Sequence, residues 1–94
     1  MTQHKKVDSK TINQLYDVFI SLESRKDCEM LFEDLFTDKE IEQFAQRIEA
    51  AKLLISGKTY GQVIEKTDIS SATLSRVSRC VQYGKGYTKF LKDN

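Results

Sequence analysis

The sequence predicts an all-α fold, a single helical domain over residues 1–94 built around a helix-turn-helix. Three observations carry this. The 94 residues include no proline and only four glycines, so little interrupts a helix. Apolar residues recur three and four apart through most of the chain, the period of one helix face. The stretch 59–82, TYGQVIEKTDISSATLSRVSRCVQ, has the form of two short helices joined by a tight turn.

Residues 1–8 are polar and mixed in charge and are expected to form a mobile tail, with Lys5 and Lys6 free to touch phosphate. Ser9 begins a helix that runs to about Ser24, with a stripe of Ile12, Leu15, Tyr16, Phe19 and Leu22. Val18 and Ile20 lie off that stripe and make a second apolar face. After a charged break at 23–27, a second helix covers roughly Asp27–Phe36, burying Cys28, Leu31, Phe32 and Leu35 and turning Glu29, Glu33 and Asp34 outward.

Thr37-Asp38-Lys39-Glu40 is a capping box that starts the longest helix, Asp38 to about Ser56. Ile41, Phe44, Ala45, Ile48, Ala51 and Ile55 mark its inward face, Leu53 and Leu54 widen it, and Gly57 stops it as a C′ glycine does. These helices, 9–57, hold more apolar surface than one small monomer buries and are read as dimerisation helices. Thr59 then caps the first helix of the pair, Tyr60–Lys66; the turn is Thr67–Ser70; the second helix is Ser71–Gln82. Val63, Ile69, Leu74, Val77 and Val81 point inward. Tyr83-Gly84-Lys85-Gly86 is a flexible stop before a short final helix, 87–92.

Small, polar and basic residues on the outer faces of the second helix suit a groove of DNA, entered by the helix N-terminus. Ser71, Ala72 and Ser75 are candidates for base edges. Thr59, Tyr60, Gln62, Thr73, Arg76, Arg79 and Lys85 are candidates for the backbone, and the helix start at Ser70 suits a phosphate. Two positions depart from the usual motif. Ile64 stands where a small residue usually lets the helices cross, and Asp68 stands where glycine usually takes a positive φ.

The net charge of +1 is unevenly spread. Residues 1–57 hold 8 Lys/Arg against 11 Asp/Glu, whereas 58–94 hold 7 against 3, so the basic part coincides with the helix-turn-helix. Cys28 and Cys80 are far apart and form no CxxC pair, and His4 adds too few ligands for a metal site. No nucleophile–base constellation is present, which argues against an enzyme. No apolar run reaches membrane-spanning length and the N-terminus lacks the apolar core of a signal peptide, so the cytoplasm is expected.

From Leu35 to about Tyr83 the chain resembles the Trp repressor superfamily, in its Trp-repressor-like YerC/YecD branch. The residues that carry this are LFTDKEI at the helix entry, AQRIEAAKLLISGKTYGQV across the helix junction, and SATLSRVSRC in the second helix of the pair. The resemblance implies a Trp-repressor-like helical bundle in an intertwined homodimer. Its two helix-turn-helix heads would read a palindromic operator in double-stranded DNA as a transcriptional regulator, mostly a repressor. The Trp repressor holds tryptophan between two arginines, whose places are taken here by Arg47 and Arg76. A glycine and a serine of that pocket are replaced by Val77, which should fill the indole slot, and Cys80, a poor partner for the ligand's amine. Tryptophan binding is therefore not expected, no cofactor is implied, and any effector is unidentified. The competing reading is a helical protein-interaction module that has lost DNA binding.

Overall fold

The computed structural model describes residues 6–92; most of the expected tail, Lys5 included, lies outside them. Six helices follow one another: α1 (Ser9–Ile20), α2 (Arg25–Leu35), α3 (Asp38–Ile55), α4 (Tyr60–Thr67), α5 (Ser71–Tyr83) and α6 (Gly86–Phe90). The all-helical prediction holds, with no strand among the described residues. The chain divides into two compact units between Leu35 and Phe36.

In the first unit, Asp8 belongs to the helix rather than to the tail. Its carboxylate accepts the Thr11 N–H at 2.9 Å and caps α1, and that bond holds its pKa below the usual carboxylate value. α1 stops at Ile20, four residues before the expected end. Ser21 turns its hydroxyl back onto the Val18 carbonyl at 2.6 Å, and the Leu22 N–H takes the Phe19 carbonyl, closing the last turn. Ser24 instead helps to start α2, its Oγ accepting the Asp27 N–H at 3.1 Å while the Asp27 carboxylate accepts the Glu23 N–H at 2.9 Å. The Phe19 and Phe32 rings lie 5.6 Å apart and join α1 to α2. No residue of either helix is buried in the single chain.

The second unit opens on the expected capping box. Thr37 Oγ1 accepts the Glu40 N–H at 3.1 Å, and Glu40 Oε1 accepts the Thr37 N–H at 2.9 Å. α3 ends at Ile55 with Ser56 as its C-cap; Gly57 follows at a φ of +98° that suits glycine, and the Lys58 N–H closes onto the Leu53 carbonyl. The core is Ala50, Ala51, Val63, Ile69, Leu74 and Val77, with Leu53, Leu54, Val81, Tyr87 and Leu91 packed against it. The inward residues expected of α4, the turn and α5 are therefore the ones found.

The inward face expected of α3 is found in part: Ala51 is buried and Leu53 and Leu54 pack on the core, as expected, whereas three of the expected residues are not inward. Phe44, Ala45 and Ile48 are exposed, and the face against α4 and α5 is built from Ala50, Ala51, Leu53 and Leu54. Alanines let two helix backbones approach closely, which Phe and Ile side chains would prevent. Phe44 instead meets Phe36 edge-on, centroids 5.1 Å apart.

α5 runs one residue beyond the expected Gln82 and ends at Gly84. The stop is tight: a Cβ on Gly84 would lie 2.7 Å from the Cys80 carbonyl oxygen. α6 occupies Gly86–Phe90 rather than 87–92, because Leu91 caps it by donating its N–H to the Tyr87 carbonyl at 2.8 Å. Tyr87 and Leu91 return that helix to the core.

Candidate nucleic-acid interface

α5 is a helix with two different sides. Leu74, Val77 and Ser78 are buried, and Val81 is partly buried beside them. The opposite side carries Ala72, Ser75, Arg76, Arg79, Cys80 and Tyr83, at spacings of three and four, and lines an open groove of about 540 Å³. Ser71, Ala72, Ser75, Arg76 and Arg79 are all exposed. α5 contains no acidic residue, so nothing on it neutralises the two guanidinium groups. Tyr83, 81% exposed, extends this side by one further turn. The motif pattern did not mark it, although it stands four residues after Arg79.

The cap at the start of α5 is closed. Ser70 Oγ accepts the Thr73 N–H at 3.2 Å and donates to Thr73 Oγ1 at 2.9 Å. At the start of α4, Thr59 Oγ1 accepts the Gln62 N–H at 3.2 Å and Gln62 Oε1 accepts the Thr59 N–H at 2.9 Å. These four side chains are thus engaged in their own helix ends: Ser70 has spent its hydroxyl proton on Thr73, while Thr59, Gln62 and Thr73 keep a donor. Tyr60 and Lys85 are exposed, Lys85 at the corner between α5 and α6.

The two departures from the usual motif are accommodated. Val63, not Ile64, is the buried residue of α4, and Ile64 remains exposed on its outer side. Asp68 takes the left-handed conformation at φ 61° and ψ 22°, and its N–H closes α4 onto the Ile64 carbonyl at 2.8 Å.

The residues at the places of the family's ligand pocket, Arg47, Arg76, Val77 and Cys80, have different surroundings. Arg76 and Cys80 line the α5 groove. Arg47 lines a separate hollow of about 330 Å³ with Lys39, Glu42, Asp68, Ser70 and Thr73. Its guanidinium lies 5.6 Å from the centre of the Phe44 ring, and its buried Nε has no hydrogen-bond partner. Val77 is 2% exposed, inside the core. Among the described residues no group of His, Cys, Asp or Glu is placed to hold a metal, and no helix is long and apolar enough to cross a membrane.

Residues 10–94 match the sequence profile of the family described as Trp repressor protein. The chain belongs to the Trp repressor family. It is 42% identical over 82 residues to the uncharacterized protein YerC of Bacillus subtilis, covering 87% of this chain and 79% of that protein. Among solved structures, a candidate Trp repressor from Staphylococcus aureus superimposes with a TM-score of 0.85 at 36% identity, covering 89% of this chain and 85% of the other. A TrpR-like protein from Eubacterium eligens gives 0.82 at 39% identity, covering 86% and 84%. The helix-turn-helix and the Trp-repressor-like fold thus agree between the residue pattern, the family profile and the solved relatives.

Proposed function

We propose that this member of the Trp repressor family is a sequence-specific DNA-binding transcriptional regulator, a repressor, that acts as a homodimer in the cytoplasm. The observation that carries the reading is the outward side of α5: an uncovered row of small, polar and basic side chains behind a closed N-terminal cap. In this reading Ser71, Ala72 and Ser75 meet base edges, and Ala72 suits a thymine methyl. Arg76, Arg79, Tyr60 and Lys85 take phosphates and set affinity. Thr59, Gln62, Ser70 and Thr73 act mainly by holding the helix ends, whose N–H groups and partial positive charge face the backbone. None of the base-edge candidates offers a two-bond contact to a base, so discrimination per base is moderate and leans on DNA shape and bridging water.

The homodimer is supported by the uncovered apolar residues of α1, among them Ile12, Leu15 and Ile20. Two copies put two heads on a palindromic operator. Tryptophan is not the corepressor in this reading; what supports this is Val77, where the resemblance puts the glycine that leaves room for an indole, and Cys80 in place of the serine that holds the amine.

The test is selection of bound duplexes from a random pool by the full-length chain. The expected product is a palindrome with half-sites about 10 base pairs apart, centre to centre. A pool without enrichment removes the DNA reading and leaves a helical protein-interaction module. Calorimetric titration with free tryptophan is expected to give no binding heat, and micromolar binding would overturn that part.

A further inference from the structure

We propose that Gln46 and Thr67 are positioning residues that fix the orientation of α5 and thereby set how sharply the protein discriminates between DNA sequences. The proposal rests on the DNA-binding reading above and adds to it two residues that need not touch DNA.

The turn before α5 is held from two directions. Gln46, partly buried on α3, donates from Nε2 to the Thr67 backbone carbonyl at 3.0 Å across 21 positions of sequence. That carbonyl is the last of α4, and a terminal carbonyl has no partner inside its own helix. The Thr67 hydroxyl donates to the Val63 carbonyl at 2.7 Å and accepts the Ile69 N–H at 3.2 Å. One residue thus ties the end of α4 to the strand of chain leaving the turn, and Gln46 ties both to α3. Ile69, 3% exposed, plugs the core directly afterwards.

The consequence follows from the length of chain that remains. Ser70 caps α5 immediately after Ile69, and the base-edge candidates Ser71, Ala72 and Ser75 lie within the first five residues of the helix. No flexible segment separates the anchored turn from these side chains. A contact group has to be held to within about 0.5 Å and 10–20° to be specific. Backbone contacts from Arg76, Arg79 and Lys85 use long side chains that absorb such an error. Loosening the turn should therefore cost discrimination first and general affinity little.

The experiment measures dissociation constants on the selected operator and on a scrambled duplex of equal length, at one salt concentration and at a temperature where circular dichroism shows each variant folded. Gln46→Leu removes the amide donor without changing charge, Thr67→Val removes the hydroxyl at nearly constant shape, and Thr67→Ser keeps the hydroxyl. The ratio of the two affinities is expected to fall about five- to tenfold for Gln46→Leu and Thr67→Val, the worth of roughly one base contact over the whole operator, with scrambled-duplex binding unchanged. Thr67→Ser is expected to keep the wild-type ratio. Should Thr67→Val not fold, Gln46→Leu alone decides. Lower thermal stability with an unchanged ratio, or equal losses on both duplexes, assigns the pair a merely structural role and overturns the proposal. Wild-type protein without preference for any duplex overturns the DNA reading itself, a different failure.

Discussion

Ser75 and Arg79 stand one turn apart on the outward side of α5 and are assigned opposite duties. A guanidinium on a phosphate neutralises charge that every DNA sequence presents, whereas a serine hydroxyl on a base edge meets a pattern that changes from pair to pair. Arg79→Ala is therefore expected to weaken binding to operator and scrambled DNA alike, and to reduce the slope of log affinity against log salt by about 0.9 per site, the release of one counterion. Ser75→Ala is expected to leave that slope alone and to change preference at one or two base pairs of each half-site, which repeated selection with the variant would reveal. A flat response of either measurement removes that residue from the interface. On the inner side, Leu74 is fully buried among Ala50, Ala51 and Val63. Leu74→Ala should cost about 2–5 kcal/mol in urea unfolding, the usual penalty for a leucine-sized cavity.

At the scale of elements, local chemistry and the inward residues of α4 and α5 were legible, and the packing of α3 was legible only in part. The capping box at Thr37 and the N-cap at Thr59 could be named from sequence because their bonds close within four residues; that Gln62 completes a second box was not read. Asp68 could be placed at positive φ because it stands at the motif position that usually takes the left-handed conformation, and its φ is 61°. The buried face of α3 was legible only in part: Ala51, Leu53 and Leu54 were placed inward, Ala50 was not, and Phe44, Ala45 and Ile48 were placed inward although they are exposed. Hydrophobicity favours Phe44 and Ile48, yet close approach of helices favours Ala50 and Ala51, and the second consideration won. The link from Gln46 to Thr67 was invisible for a related reason, since no pattern joins positions 21 residues apart. Two stability measurements follow from the local features. Thr37→Ala should cost about 1 kcal/mol, since it leaves the Glu40 N–H without its cap. Asp68→Gly should gain roughly 0.5 kcal/mol, because glycine takes the left-handed region without strain and the change removes a carboxylate from the negative end of α4. A Tm that falls in Asp68→Gly would mean that the aspartate side chain holds the turn in a way its backbone angles do not convey.

At the scale of the molecule, the decisive quantity is apolar surface left in contact with water. In the first unit Ile12, Leu15, Tyr16, Val18, Ile20 and Met30 are all exposed, Ile20 to 79%. In the second unit Phe44 and Ile48 are exposed on α3, and Phe90 to 74% on α6. Burying a side chain of this kind stabilises by about 1.5–3 kcal/mol, so leaving many of them wet removes a large part of what a chain of 94 residues has available. A second copy is the economical cover, because the same stripe then serves both sides of the interface. Dimerisation of this kind links folding to concentration: each tenfold dilution takes about 1.4 kcal/mol from a two-state dimer. The wild-type chain is accordingly expected to sediment at twice its monomer mass and to show a Tm that falls steadily on dilution. Leu15→Glu, which sets a charge in the middle of the α1 stripe, should shift sedimentation toward monomer, lower the Tm and reduce operator affinity at least tenfold, although position 15 lies on α1 and not in the helix-turn-helix. Loss of operator binding without loss of the dimer would place Leu15 near DNA instead. A wild-type chain that sediments as a monomer with a Tm independent of concentration would remove the paired heads, and with them the palindrome that the proposed operator requires.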